Sequence, residues 1–424
     1  MKAYRARVIN PVLPTKVADF KDGLLVIDKT GHIVQVGEYS KLKTKYQRKA
    51  KLIDLGPRLI IPGFVDCHLH LPQLDCRGKH GSTLLEWLTR YIFPAEKAFK
   101  DLKVADDVGK RFFKKLILNG TTTSSIYTTI HAAATDHAFK LAQKAGVRAI
   151  IGKVMMDRQV PPALLEKTNQ SLAESEKLAG KWHNSAQGRL RFAFTPRFAP
   201  TCSKKLLQEV GKLVSKTDTY LQSHIAETQR ENKKVLELFP EFKDPFAVFE
   251  KTGCAGPRTI LGHAIYLSDQ EYKRMAQTQT KIAHCPTSNL FLKSGRFPLT
   301  RAETAGITIG FGTDVGAGTS MCMLTEMRHA DYTQTELTVT PTKAFYLATL
   351  GGAHALSMQH EIGNFEKGKK GDFLVLDINE IDYHYKIKEL NTEEVLSLLM
   401  YRGHGNVVKS TFVQGRKLNV DVFS

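Results

Sequence analysis

An alternation of two kinds of segment constrains the fold of this chain more than any other feature of its sequence. Short runs rich in β-branched and apolar residues follow one another, and stretches with helical periodicity, such as 105–118 and 203–215, separate them. Runs of this length and composition indicate buried strands, and amphipathic spacers indicate helices. The eight runs occupy residues 59–65, 121–127, 147–154, 190–195, 219–223, 259–262, 280–283 and 307–311. Eight alternating βα units predict a (β/α)8 barrel.

The two ends of the chain have a different pattern. Residues 23–37 contain two apolar segments around a tight turn, which predicts a hairpin. The stretches 371–377 and 410–416 indicate further strands. We therefore predict an α/β protein in which both termini build one small β-sandwich domain beside a TIM-like barrel. The predicted limits are 1–58 for the N-terminal part of the small domain, 59–366 for the barrel and 367–424 for the returning C-terminal part.

The chain carries an excess of positive charge. Its 61 Lys and Arg residues against 42 Asp and Glu residues give a formal net charge of +19, which raises the question of nucleic-acid binding. The lysines are densest at 41–51 and 367–370, and Tyr46 is the only aromatic residue in either stretch. Because such a surface lacks aromatic side chains on which bases could stack, we expect a solvated basic surface and no nucleic-acid partner.

Cysteine usage and hydropathy indicate the compartment. The six cysteines of this 424-residue chain include no Cys-x-x-Cys pair, and the first residues are followed by no apolar stretch of signal-peptide length. The sequence contains no run of about 18 apolar residues, so no transmembrane helix is expected. We therefore expect reduced thiols and a cytoplasmic protein without membrane association.

Residues that can bind a metal follow several of the predicted strands. In a (β/α)8 barrel the carboxyl ends of all strands meet at one rim, where active sites form. Three histidines and one aspartate at such ends match a catalytic zinc site with an open position for water, although nitrogen and oxygen ligands also suit Fe²⁺. Each residue alone has an ordinary explanation as a core histidine or a helix cap, but the set in this order favours a metal site. The predicted ligands are His68, His70, His224 and Asp314.

Two further polar residues lie at strand ends beside these ligands. Glu227 follows His224 closely, which suits a general acid or base that sits near the metal without binding it. His263 follows the sixth run and could stabilise charge on an oxygen by hydrogen bonding. At the end of the fourth run the sequence reads Thr-Pro-Arg at 195–197, with no lysine that could be carboxylated to bridge two metals. We therefore expect one metal ion per chain.

Several stretches resemble a known family. Residues 62–70, Pro-Gly-Phe-Val-Asp-Cys-His-Leu-His, resemble the first-strand signature of the amidohydrolase superfamily. Other segments resemble the guanine deaminases of that superfamily and extend the resemblance from the N-terminal hairpin to residue 377. These segments are 72–73, 84–88, 93–96, 196–200, 284–290 and 312–320. A departure is Gln-Val-Pro at 159–161, where the family pattern has Asn-Ala-Pro.

The resemblance implies an activity and a role for each site residue. The activity is hydrolytic deamination of guanine to xanthine and ammonia by a zinc-activated water, a step of purine catabolism and salvage. Zinc would be bound by the four predicted ligands, Asp314 would also act as a base, and Glu227 would move protons with the help of His263. The residues that would contact the purine are Gln73, Arg197, Phe198 and His263. The resemblance also implies a homodimer.

Elementary chemistry agrees with this assignment, and alternatives stay open. Arginine is a permanent donor suited to a carbonyl oxygen such as guanine O6, glutamine offers a donor and an acceptor, and an aromatic face suits a flat base. Without the resemblance, Arg197 would be interpreted as a surface charge and Phe198 as a core aromatic. A second hypothesis keeps the zinc enzyme but changes the substrate to another purine, a pyrimidine or a triazine-like ring. A third is a metal-free barrel that binds nucleic acid through its positive charge.

Overall fold

The structure, a computed structural model, describes residues 1–81, 84–335, 338–381 and 386–423. In chain order its strands are β1 (Lys2–Leu13), β2 (Lys16–Ile27), β3 (Ile33–Glu38), β4 (Lys51–Pro62), β5 (Phe64–His70), β6 (Thr121–Tyr127), β7 (Arg148–Gly152), β8 (Val154–Met155), β9 (Leu190–Pro196), β10 (Tyr220–Ile225), β11 (Thr259–His263), β12 (Lys281–His284), β13 (Ile309–Phe311), β14 (Phe373–Leu376), β15 (Val408–Val413) and β16 (Arg416–Lys417). The α-helices are α1 (Tyr39–Tyr46), α2 (Leu84–Trp87), α3 (Phe93–Ala98), α4 (Leu102–Leu118), α5 (Ala132–Ala145), α6 (Thr168–Trp182), α7 (Ser185–Gly188), α8 (Lys204–Lys216), α9 (Gln229–Leu238), α10 (Pro245–Lys251), α11 (Asp269–Gln277), α12 (Pro286–Phe291), α13 (Leu299–Thr304), α14 (Met323–Tyr332), α15 (Pro341–Tyr346), α16 (Gly352–Ala355) and α17 (Thr392–Arg402). No helix within the described ranges combines the length and apolar character that a bilayer crossing requires.

Eight of the strands form the barrel. The strands β5, β6, β7, β9, β10, β11, β12 and β13 pair in this order with parallel register, and β8 adds to β9. Backbone hydrogen bonds complete the ring just beyond β13. The Asp314 N–H donates to the His68 carbonyl and the His70 N–H donates to the Val315 carbonyl, both at 2.8 Å. Because strands of a parallel sheet are covered on both faces, their sequences read as continuous apolar runs. The predicted (β/α)8 barrel is confirmed.

The first barrel strand does not lie where the apolar run 59–65 predicted it, and this part of the prediction is wrong. Residues 59–62 complete β4, which pairs antiparallel with β14, and β5 begins only at Phe64. Gly63 lies between the two strands, and a side chain does not fit there because a Cβ would lie 2.1 Å from the side chain of Thr122 on β6. One buried strand leads directly into another, so composition shows no boundary between them. The predicted division after residue 58 falls within β4, and the domain limits stay a prediction.

The other seven runs coincide with barrel strands to within two residues at each end, except that the run 147–154 divides into β7 and the short β8. The predicted helices are also present. Asp101 caps α4 by accepting a hydrogen bond from the Lys103 N–H, and Ser203 caps α8 by accepting one from the Leu206 N–H. Such caps satisfy backbone donors that the first helical turn leaves free.

Both termini build the small domain. Its sheet has seven strands in the order β16, β15, β14, β4, β1, β2, β3, and β2 and β3 form the predicted hairpin. Tyr4 on β1 and Phe412 on β15 are three strands apart in this order, a distance of about 14 Å in a flat sheet. Their ring centroids are nevertheless 5.5 Å apart, and the Phe373 ring stacks on Phe412 at 4.1 Å. The sheet therefore bends over an apolar core, as the predicted small β-sandwich domain requires.

Candidate active site

Four of the predicted site residues meet at the carboxyl end of the barrel. His68 and His70 lie on β5, and because side chains alternate along a strand they point to the same side. His224 lies on β10, and Asp314 follows β13 after two residues. Ligand-capable atoms of the four side chains all lie within 4.8 Å of one another. These are the residues predicted from the sequence to bind a metal.

The ligand-capable atoms of this cluster face each other. His70 Nε2 lies 3.1 Å from His224 Nε2 and 3.3 Å from Asp314 Oδ1. His224 Nδ1 donates to the Arg197 carbonyl at 2.7 Å, so Nε2 carries the lone pair of the neutral ring. His68 Nε2 is buried and lies 3.4 Å from Asp314 Oδ1, the same oxygen that faces His70. A cation at the centre would satisfy these lone pairs, so the residues fit a metal ion that takes nitrogen and oxygen ligands.

Burial keeps the imidazoles in the form that binds metals. It lowers the pKa of His68 to about 4 and the pKa of His224 well below its usual range, because removal from water disfavours the charged ring. Burial alone would raise the pKa of Asp314, but hydrogen bonding to His68 and His70 holds it well below its usual range. His68 and His224 are therefore neutral imidazoles and Asp314 is a carboxylate, which is the state that metal binding requires.

Glu227 and His263 lie beside the cluster, as predicted. His263 Nε2 is 3.8 Å from Glu227 Oε2 and 3.8 Å from Asp314 Oδ2. The backbone at these strand ends is unusual, since φ is +51° at Ala226, +69° at His263 and +46° at Asp314. Such left-handed conformations cost about 1–3 kcal/mol outside glycine, and they cluster at functional sites. Here the Glu231 carboxylate holds the turn by accepting hydrogen bonds from the backbone N–H groups of Ala226 and Glu227.

Three short polar side chains form hydrogen bonds with Asp314, His263 and Glu227, and no role was predicted for these three side chains from the sequence. Ser288 Oγ donates to Asp314 Oδ2 at 2.6 Å. Asn289 Oδ1 lies 2.9 Å from His263 Nδ1, which donates to it and leaves Nε2 facing the cluster. Ser294 Oγ donates to Glu227 Oε1 at 2.6 Å. The stretch 284–290 stood out only through the family resemblance, because serine and asparagine near a short helix give no signal of their own.

A cleft leads from the surface to the cluster. It encloses about 550 Å³ of empty space, part of it open to solvent. The residues predicted to contact a purine all line this cleft together with predicted metal ligands, predicted acid–base residues and apolar side chains. The lining residues are His70, Gln73, Trp87, Leu88, Arg197, Phe198, His224, Glu227, Glu231, His263, Leu292, Asp314 and Ala317. The cleft thus brings a metal-competent cluster, hydrogen-bond donors and an aromatic side chain into one place.

Residues 59–418 match the amidohydrolase family. The chain belongs to the amidohydrolase family. Among curated relatives, guanine deaminase from Escherichia coli (strain K12) is 37% identical over 405 residues, which cover 93% of this chain and 91% of the relative. Guanine deaminase from Dictyostelium discoideum is 31% identical over 441 residues, which cover 99% of this chain and 98% of the relative. The crystal structure of guanine deaminase from C. acetobutylicum with bound guanine in the active site has a TM-score of 0.93 and 30% identity, and the match covers 99% of this chain and 100% of that chain.

Three further parts of the sequence of this amidohydrolase can now be located relative to the metal-competent cluster and the cleft. Arg197 is only 5% exposed, so its interpretation as a surface charge does not hold. His284, at the end of β12, packs against Phe297 with ring centroids 4.6 Å apart and is not part of the metal-competent group. Within the described chain, none of residues 159–161 lines the cleft, so the departure from the family pattern does not touch it.

Proposed function

We propose that this amidohydrolase catalyses the hydrolytic deamination of guanine to xanthine and ammonia. The observation that carries the proposal is a single cleft in which Arg197 and Phe198 share the wall with His70, His224 and Asp314. A donor for a carbonyl oxygen, an aromatic face for a flat base and a metal-competent cluster are the parts that this reaction needs. The guanine-bound relative, which matches almost the whole of this chain, supports the same substrate.

We propose one zinc ion per chain, held by the four residues of the cluster. Three imidazole nitrogens and a carboxylate oxygen are ligands that catalytic zinc takes, and Fe²⁺ is the alternative because the same ligands suit both metals. When bound, zinc acts as a Lewis acid and lowers the pKa of a water molecule to about 7. The ligands are His68, His70, His224 and Asp314.

Side chains of the chain itself move the protons. The Asp314 carboxylate accepts a proton from the attacking water, whose oxygen adds to C2 of the purine. Glu227, with Oε1 held by Ser294, donates a proton to the ring nitrogen beside C2. His263, with Nδ1 committed to Asn289, presents Nε2 to the oxygen added at C2 and stabilises its charge. Asp314 then passes the proton taken from water to the amino group, the bond between C2 and this nitrogen breaks, and ammonia leaves. The hydroxyl at C2 becomes a carbonyl as its proton returns to Glu227, so one water enters and one ammonia departs.

The cleft wall recognises the rest of the purine. Arg197 supplies donors for guanine O6, Gln73 supplies a further polar contact, and the Phe198 side chain stacks on the ring. Adenine has an amino group where guanine has O6, so it would leave the buried arginine donors unpaired. A site built to hydrogen-bond one group rejects an analogue that lacks it strongly, because the unpaired polar groups cannot return to water.

Turnover tests the proposal directly. Purified, metal-replete protein is incubated with guanine, and the ultraviolet spectrum and the release of ammonia are recorded, with adenine and cytosine in parallel. We expect xanthine and an equal amount of ammonia from guanine, and no ammonia from the other two bases. Turnover of another purine, a pyrimidine or a triazine-like ring instead of guanine would contradict the substrate and keep the metal-hydrolase class. Salt-sensitive binding to nucleic acid by a protein that takes up no metal would contradict the class itself.

We also propose, from the family resemblance, that the chain forms a homodimer, and, from its cysteine usage and hydropathy, that it acts in the cytoplasm. Light scattering after size exclusion should give the mass of two chains, and a mass of one chain would contradict the dimer. Cell fractionation should place guanine-hydrolysing activity in the cytoplasmic fraction. For the domains we propose the limits 1–58, 59–366 and 367–424, which limited proteolysis near residue 366 would test.

A further inference from the structure

A buried carboxylate that has no role in the reaction above lies behind the purine-contacting side chains. Glu96, on α3, has no exposed surface, and it does not line the cleft among the described residues. Its side chain reaches two residues that do line the cleft, Gln73 and Arg197. We propose that Glu96 is a positioning residue. It orients Gln73 and Arg197, which form this wall of the cleft, so that their N–H groups face the purine, and it thereby selects purines with acceptors at position 6. The inference rests on the proposed function, which places the purine against this wall.

Glu96 accepts hydrogen bonds from both neighbours. Gln73 Nε2 donates to Glu96 Oε1 at 3.0 Å. Arg197 Nη1 lies 2.6 Å from each of the two carboxylate oxygens. Both side chains of the resulting ion pair are almost completely buried. Charge-assisted bonds in a site shielded from water are strong, so Glu96 holds both side chains in place.

The orientation of the Gln73 amide follows from its two partners. Oε1 accepts a hydrogen bond from the Gly316 N–H at 3.2 Å, and Nε2 donates to Glu96. A carboxylate cannot donate and a backbone N–H cannot accept, so rotating the amide by 180° would place like groups against each other on both sides. The second N–H of Nε2 is left for a ligand, whereas Oε1 is turned toward the Gly316 backbone. Gln73, which alone could either donate or accept, is therefore a donor in this cleft.

Arg197 adds donors of the same kind. Among the described residues its side chain is hydrogen-bonded to Glu96 through Nη1, and arginine has no acceptor atom. Gln73 and Arg197 together thus turn N–H groups toward a ligand, while Gln73 Oε1 faces the Gly316 N–H. Guanine matches this wall because O6 and N7 are both acceptors. A purine with an amino group at position 6 would instead place its own N–H groups against the N–H groups of Gln73 and Arg197.

The test compares guanine with 2,6-diaminopurine, which keeps the amino group at C2 and replaces O6 by a second amino group. We expect the wild-type protein to prefer guanine in kcat/KM by about 100-fold or more, because unpaired buried donors are heavily penalised. In Glu96→Gln the amide of the new side chain can donate to Gln73, so that only the Gly316 N–H still opposes rotation of the Gln73 amide. We expect the preference to fall about tenfold or more, mainly through KM for guanine, with kcat within about threefold of wild type.

A matched control is Glu166→Gln, which neutralises another buried glutamate paired with a cation, Lys153, away from the cleft. It should lower stability without moving the preference. Folded Glu96→Gln protein with the wild-type preference would overturn the inference. If Glu96→Gln does not fold, Gln73→Met removes the oriented amide at similar volume and leaves the ion pair. An unchanged preference in that variant would overturn the inference equally.

Binding of two bases that have no amino group at C2 separates this inference from the proposed function. Hypoxanthine carries O6 and adenine carries the 6-amino group, and calorimetry gives the affinity of each for wild-type and Glu96→Gln protein. A preference for hypoxanthine that depends on Glu96 would support the inference even if guanine were not turned over, which would contradict only the proposed function. Guanine turnover without any dependence of the preference on Glu96 would overturn only the inference.

Discussion

The two ends of the barrel bury polar groups in opposite ways. At the carboxyl end, His70 Nε2 and His224 Nε2 converge to 3.1 Å beside Asp314. At the amino end, Arg148 Nε contacts Asp372 Oδ2 at 3.2 Å, and this buried pair ties β7 to the residue before β14. Buried charges are costly unless they are paired. The charges at the amino end are paired within the chain, whereas the cluster at the carboxyl end is the site where we propose that a metal ion binds. Pairing of buried charges at the amino end contributes to stability, whereas the polar groups at the carboxyl end are available for binding and catalysis.

The largest effect should come from removing one ligand at the carboxyl end. Asp314→Asn keeps the shape of the side chain and removes its charge, so the cluster should lose its metal. We expect guanine turnover to fall by about 10⁴-fold or more, because water then loses the Lewis acid that lowers its pKa. Metal content by mass spectrometry and turnover after addition of Zn²⁺ or Fe²⁺ check this. Asp107→Asn, at an exposed position on α4, is the control. Full activity of metal-free Asp314→Asn would contradict the metal site.

The next effect should come from the proton carrier. Glu227→Gln is isosteric but cannot exchange a proton, and we expect kcat to fall by about 10²–10⁴-fold, the usual contribution of a general acid or base. Bound metal and thermal stability should stay as in the wild type, because Glu227 is outside the ligand group. Glu237→Gln on the exposed face of α9 is the matched control. Near-normal turnover of guanine by Glu227→Gln would remove Glu227 from its proposed role.

A change at the amino end should affect stability and leave catalysis intact. Asp372→Asn leaves the Arg148 charge buried without its closest partner. We expect the free energy of unfolding to fall by about 3–5 kcal/mol, the range found when one partner of a buried pair is removed. At a temperature where the variant is folded, kcat/KM for guanine should stay within about twofold of wild type. Urea denaturation and kinetics measure both. A large loss of activity without a loss of stability would break the contrast between the two ends.

The smallest effect should come from a side chain that orients the proton carrier. Ser294→Ala removes one neutral donor from Glu227 Oε1. Such a hydrogen bond contributes about 0.5–1.5 kcal/mol, so we expect kcat to fall about 3- to 10-fold. KM should change little, since Ser294 does not line the cleft in the described chain. Ser294→Thr, which keeps the hydroxyl, should recover most of the rate. Equal loss in the alanine and threonine variants would point to packing and away from orientation.

Some residues of the site could be predicted from the sequence and others could not. Histidines and an acid at the ends of apolar runs were predictable, because few residue types bind metals and alternating strands direct them to one rim. Ser288, Asn289 and Ser294 were not, because their roles exist only through partners far away in the chain. The misplaced first strand has a similar cause. The run 59–65 gives no polar break, and only its pairing in the folded chain, with β14 on one side of Gly63 and with β6 on the other, divides it between two sheets.

The sequence by itself determined the kinds of element, their order and the identity of the candidate ligands. These properties depend on periodicity and side-chain chemistry, which are carried by neighbouring residues along the chain. Only the tertiary structure decided how the barrel closes at Asp314, which way the Gln73 amide faces and that Arg197 is buried against Glu96. The physical reason is that hydrogen bonds and ion pairs join residues far apart in sequence. Local composition therefore shows that a donor or acceptor is present, and folding determines which group it meets.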